Sequence, residues 1–180
     1  MKINVHAGHN PDGKIACGAV GLIKESTQAR KVKNELKKIL KARGHKVYDC
    51  TVNDGLSQSD VLKKIVNKCN KHKVDVDLSI HFNCAANDYK GNGVTTGVET
   101  YVYSNLDCAN GKRAKAICDR ISELGYKNRG AKIRSNLYVL HHTASPAILV
   151  ECCFVDDKDD VDIYDAKKMA KAIADGIELK

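Results

Sequence analysis

The sequence predicts an α/β fold: a single domain over residues 1–180 with a twisted, mostly parallel central sheet of about six strands flanked by helices. Three observations carry this. Short strand patterns alternate with helical ones along the chain, the order that builds a parallel sheet under helices. The stretch 147–153 (Ala-Ile-Leu-Val-Glu-Cys-Cys) is nearly continuously apolar, as in a strand covered on both faces. Two Pro and thirteen Gly are scattered, with no linker composition and no internal repeat, so nothing divides the chain.

Residues 2–6 form the first strand pattern, followed by a stretch rich in turn residues (Gly8, Asn10, Pro11, Asp12, Gly13, Gly18, Gly21). A loop of that length inside a compact domain is usually functional. From Ser26, the residues Ala29, Val32, Leu36, Ile39 and Leu40 recur at helical spacing until Gly44, a C-terminal stop, and the outer face is basic. Residues 47–50 read as a strand. Val61, Leu62, Ile65, Val66 and Cys69 read as a second helix opened by Ser57 or Ser59. A buried strand is expected at 78–81, and 97–103 is the clearest alternating strand. Ala114, Ile117, Cys118, Ile121 and Leu124 mark a third helix. Residues 137–140 are expected in or beside a strand, and a last helix carries Ala166, Met169, Ala170, Ile173 and Ile177.

The net charge of +8 favours polyanionic surroundings, whether nucleic acid, an anionic wall or an acidic membrane surface. No apolar run approaches the roughly 20 residues of a membrane span. The first ten residues have no signal-peptide layout, which predicts synthesis in the cytoplasm. Eight cysteines without a CxxC pair read as reduced thiols, several of them packing as small hydrophobes.

In open α/β sheets the reactive crevice lies outside the carboxyl ends of the strands. Three predicted strands run into groups capable of chemistry there: His9, His81 and Glu151. Taken singly, each has an ordinary reading, as a turn histidine, a core histidine and a glutamate reaching solvent. Two histidines and a carboxylate around an open position make a catalytic zinc arrangement, and, although the spacing of His9, Glu25 and His81 has no local metal signature, Glu25 at the head of the first helix is a candidate third ligand. Its ordinary role there is compensation of the helix dipole. His6, His141 and His142 compete for the histidine positions, while His45 and His72 read as exposed helix-end residues.

With these residues in place, the chain resembles the catalytic domain of zinc-dependent N-acetylmuramoyl-L-alanine amidases of bacterial cell-wall hydrolases and phage endolysins. The landmarks are Gly8-His9, Glu25, Ser79-Ile80-His81-Phe82-Asn83 and the run 97–103. They continue with Asn128-Arg129-Gly130-Ala131-Lys132, the run 136–140 and Pro146 through Glu151. The resemblance implies one Zn²⁺ held by His9, Glu25 and His81, and Glu151 as the catalytic carboxylate. It also implies peptidoglycan as substrate, cut between N-acetylmuramic acid and L-alanine of the stem peptide, with action on the wall after release from the cytoplasm. Asn83 is a candidate for substrate or ligand hydrogen bonding, its alternative being a strand-end cap. Cys152-Cys153 departs from the small residue and glycine frequent in the family, and buried packing is the expected role. No wall-binding module is expected within this chain. Targeting then falls to the basic surface, or to a wall-binding module in a longer parent chain.

Two other classes fit parts of the sequence. A thiol hydrolase would use Cys152 or Cys153 with His141 or His142 as base. A non-catalytic module would bind wall polymer or nucleic acid through the nine Lys or Arg against two Glu between Lys24 and Lys46. No aromatic residue lies among those cations to stack on bases, which argues against a specific nucleic acid partner. The acidic run Asp156, Asp157, Asp159, Asp160 and Asp162 is expected to repel a polyanion near the site.

Overall fold

The computed structural model describes residues 1–179. Six strands, β1 (Lys2–Ala7), β2 (Lys46–Asp49), β3 (Val76–Asn83), β4 (Val98–Val102), β5 (Asn128–Ile133) and β6 (Ala147–Phe154), form one sheet in the order β2-β1-β3-β6-β4-β5. Every neighbouring pair is parallel except β4 and β6, which run antiparallel. The six helices are α1 (Glu25–Ala42), α2 (Gln58–Cys69), α3 (Ala109–Ser122), α4 (Tyr138–His142), α5 (Lys158–Asp162) and α6 (Ala166–Ile177).

The main core lies on one face of the sheet. Val76, Leu78, Ile80 and Phe82 of β3 share a buried cluster with Val32 and Leu36 of α1, Ile117 and Ile121 of α3, and Met169 and Ile173 of α6. Each such aliphatic side chain contributes about 1.5–3 kcal/mol by leaving water. The alternate residues of β3, Asp77, Ser79 and His81, point to the second face. That face is covered only in part, by α2, whose Cys69 carbonyl accepts from Asn4 of β1 at 3.0 Å, and by the short α4 near the start of β6.

Ser57 is the cap of α2, its hydroxyl accepting from Asp60 N–H at 3.1 Å. The segment 137–140, expected in or beside a strand, instead leads into α4. Leu137 and Leu140, one helical turn apart, pack on Tyr101, Ala147 and Leu149, while Val139 turns to the α2 cluster. A strand would send Leu137 and Leu140 to opposite faces. The strand β5 carries no apolar alternation and was not legible as one.

The acidic run is not a surface patch. Asp156, Asp157 and Asp160 are fully buried and hold the loop between β3 and β4. Asp156 accepts from Ala85 and Asn87 N–H, both at 2.9 Å. Asp157 accepts from Thr96 N–H at 2.9 Å, and Asp160 from Gly97 N–H at 3.0 Å and Phe154 N–H at 2.8 Å. A loop without a strand partner must satisfy its N–H groups somewhere, and these carboxylates do so.

Candidate metal centre

The chain leaves β1 through Gly8 into a loop that is braced twice. Buried Asn10 donates to Ile15 O at 2.9 Å and Gly55 O at 2.8 Å, and accepts from Gly55 N–H at 3.0 Å. Arg30, a little over one turn into α1, donates to His9 O at 2.8 Å. The same helix that brings Glu25 to the sheet edge therefore also fixes the backbone of His9. Glu25 is itself held, accepting from Ala19 N–H at 2.8 Å and Phe82 N–H at 3.2 Å.

His9, Glu25 and His81 converge. His9 Nε2 lies 3.2 Å and His81 Nδ1 3.0 Å from Glu25 Oε1, and the three groups offer ligand atoms within 4.8 Å of one another. Zinc with ligand distances near 2.0–2.2 Å brings its donors about this close together, and the donor set of two imidazoles and a carboxylate suits it. Two glycines make the space. A Cβ on Gly8 would sit 1.9 Å from the His81 ring, and one on Gly18, whose φ is +80°, would sit 2.4 Å from Glu25 Oε2. Burial opposes ionisation of Glu25, yet the bonds to His81 and His9 outweigh it and hold the carboxyl below its ordinary range. Burial lowers His81, against the pull of Glu25, which favours the neutral ring that a metal ligand must be.

Glu151 stands beside this cluster. It is in register with His81 on β3 and with Glu99 on β4, so the three form a row across adjacent strands. Glu151 is half-buried, and its Oε2 is enclosed with no hydrogen-bond partner among the described residues. Burial first, then the charges of Glu25 and Glu99, push its carboxyl well above the ordinary range, with Arg134 pulling the other way.

Asn83 donates to Glu99 at 2.7 Å and accepts from Cys84 N–H at 2.9 Å, which ties the strand end to the neighbouring glutamate. The competing histidines lie elsewhere. His6 is fully buried under the sheet with burial lowering it to about 3, and His141 and His142 are exposed on α4 near the other sheet edge. His45 and His72 are half-buried rather than exposed. His45 bridges the Met1 amino group and Glu178, and His72 stacks on Tyr48 at 3.8 Å. Cys152 and Cys153 are fully buried and their thiols are pushed up by burial, which removes them as nucleophiles.

The residues that sequence reasoning passed over surround Glu99. This buried carboxylate accepts from Asn83, from the Tyr101 hydroxyl at 2.7 Å, from Arg129 Nε at 3.0 Å and from Lys132. Burial opposes its ionisation, but Lys132, Tyr101 and Arg129 together bring it down to about 2. The available signal was an acidic residue and a tyrosine two apart in an otherwise apolar strand, which places both on one face.

Fold and cluster define a three-layer α/β domain with a His-Glu-His metal-type centre at the carboxyl edge of its sheet. Residues 3–179 match the N-acetylmuramoyl-L-alanine amidase family, and the chain belongs to it. It is 39% identical over 187 residues to an uncharacterized protein of Clostridium perfringens (strain 13), covering 100% of this chain and 52% of that one. It is 30% identical to the endolysin of Bacillus phage SPP1, over 94% of this chain and 60% of the relative. The catalytic domain of the CD27L endolysin targeting Clostridia difficile superposes with a TM-score of 0.86 at 27% identity, covering 100% of this chain and 98% of that domain. The chain thus spans about half to three-fifths of the length of these curated relatives. Among the described residues no helix is long and apolar enough to cross a membrane.

Proposed function

We propose that this chain is a peptidoglycan hydrolase that cuts the amide between N-acetylmuramic acid and the L-alanine of the stem peptide. His9, Glu25 and His81 hold one Zn²⁺, and Glu151 is the acid–base group. The observation that carries the reading is the placement of an unpartnered, half-buried carboxylate in register with His81 of a converged His-Glu-His cluster. Bound zinc supplies Lewis acidity, polarising the amide carbonyl and making water a stronger acid.

The rest falls to the chain. Glu151, raised by its surroundings, takes the proton of the attacking water and hands it to the departing amine, a task that needs a pKa nearer neutrality than a solvated glutamate has. Glu25, kept ionised by its imidazole bonds, balances charge at the centre. Asn83 serves the site through Glu99, as a spacer at the end of β3. Residues 1–180 act as the catalytic unit, and the lengths of the relatives support a parent chain with a separate wall-binding segment. The place of action is the bacterial wall, after synthesis in the cytoplasm.

The test is digestion of purified peptidoglycan with and without chelation and zinc add-back, read by mass spectrometry for stem peptides with a new N-terminal L-alanine. Zinc-dependent release that Glu151→Gln slows by about 10²-fold or more is the expected result. Release that survives chelation and stops on thiol alkylation would return the chemistry to a cysteine.

A further inference from the structure

We propose that Arg129 and Lys132, seated on Glu99, clamp a carboxylate of the stem peptide within about three residues of the bond cut. The proposal rests on the amidase reading and adds what the β4/β5 side of the same cleft recognises.

The clamp is built by a bulge. Val98 pairs with Asn128 and Thr100 with Ala131, so Glu99 faces two residues of β5, Arg129 and Gly130. Gly130 has φ +77°, which a side chain would disfavour, and the extra residue lets Arg129 and Lys132, three apart, reach the same carboxylate. In a regular strand, residues three apart point to opposite faces.

Charge then leaves a remainder. One buried carboxylate is matched by two cations, while Asn83 and Tyr101, its other partners, are neutral. The guanidinium is fixed through Nε and lies over the Phe154 ring at 5.1 Å, so its orientation is set. Its two Nη groups have no hydrogen-bond partner among the described residues, and the side chain is 31% exposed. A planar fork held from behind with its front pair of donors open suits bidentate recognition of a carboxylate.

Reach fits the substrate. β5 lies two strands beyond Glu151, roughly 10 Å at about 4.8 Å per strand. An extended peptide covers that in about three residues. The second residue of a stem peptide, a γ-linked glutamate, keeps a carboxylate, and the third carries one where it is a diamino diacid rather than lysine; walls differ in whether these are free or amidated.

The experiment compares kcat/KM for two N-acetylmuramoyl tripeptides, one with the carboxylates of its second and third residues free and one with both as carboxamides. The zinc-loaded wild type is expected to prefer the free acid by about tenfold or more, the scale of a charge-assisted pair. Arg129→Gln brings the ratio close to one, and Arg129→Lys, keeping the charge without the fork, keeps part of it. Titration of the released tripeptide acid and amide onto the wild type reads the same preference without turnover. Cleavage of both substrates at equal kcat/KM by the wild type overturns the clamp and leaves the amidase reading standing. Cleavage of neither overturns the amidase reading, and the clamp with it. The wild-type comparison decides even if a variant folds poorly.

Discussion

Two buried glutamates sit on either side of Glu151, and their partners differ in kind. Glu25, at the β1/β3 side, is bonded by imidazoles, whose nitrogens can turn from a carboxylate to a metal ion. Glu99, at the β4/β5 side, is bonded by a guanidinium and an ammonium, neither of which offers a lone pair to a metal. Both carboxyls are held ionised, so the acid alone does not mark the function. What the neighbours can do besides neutralise it makes one side a candidate metal centre and the other a cationic wall. Glu151 between them has neither kind of partner, its enclosed Oε2 without a hydrogen bond among the described residues, which is what the proposed acid–base role requires.

The largest effect should come from breaking the imidazole side. Chelation, or His81→Ala, is expected to abolish turnover and take bound zinc from one per chain towards none by atomic spectroscopy, with add-back rescuing only the chelated protein. Next comes the middle of the row. Glu151→Gln should lower kcat by about 10²–10⁴-fold, the range for an acid–base group, while zinc content stays unchanged. Because its folded pKa lies above the ordinary value of 4.5, an ionised Glu151 costs stability as pH rises above that value. Glu151→Gln should therefore leave thermal stability at neutral pH equal or higher, measurable by calorimetry.

Glu99→Gln attacks the other side, and its sign is the reverse. With a folded pKa of about 2 against 4.5, Glu99 contributes stability above pH 4.5 that is lost as pH falls towards 2. The variant should lose about 1–3 kcal/mol at neutral pH and show a flatter acid limb in denaturant titrations. Outside the row, Asp160 is raised to about 6, chiefly by burial, so stability should fall as pH rises from about 4 to 6. Asp160→Asn should flatten that slope. The smallest effect belongs to the basic face of α1. Lys37 already pairs with Asp49 and Lys38 with Glu35, so neutralising Lys37, Lys38 and Lys41 should weaken the salt dependence of wall digestion only modestly and leave turnover of a soluble muropeptide unchanged.

Much of this was legible in the residues. Strand and helix types followed from period, as with Ala29, Val32, Leu36 and Leu40 on α1, all of which are buried. His9, His81 and Glu151 were marked by standing at strand ends, and the structure brings Glu25 to the two histidines. The strand β5 was hidden because its residues Arg129 and Lys132 face a carboxylate, so it has no apolar face to betray it. The acidic run 156–162 read as a surface because charge in sequence normally means solvent. Only the loop folded over it turned three of those carboxylates into buried acceptors.

The sequence by itself determined the α/β class, the sheet edge that gathers the candidate site and the type of most elements, with the segment 137–140 and β5 as the exceptions, because these depend on local period and on chain order. The tertiary structure alone decided which glutamate pairs and which stays unpartnered. Glu99 and Glu151 both interrupt apolar strands and look alike along the chain. Their difference arises from the antiparallel register of β4 on β6 and the bulge opposite Glu99, contacts between residues about 30 to 50 positions apart that no local pattern records.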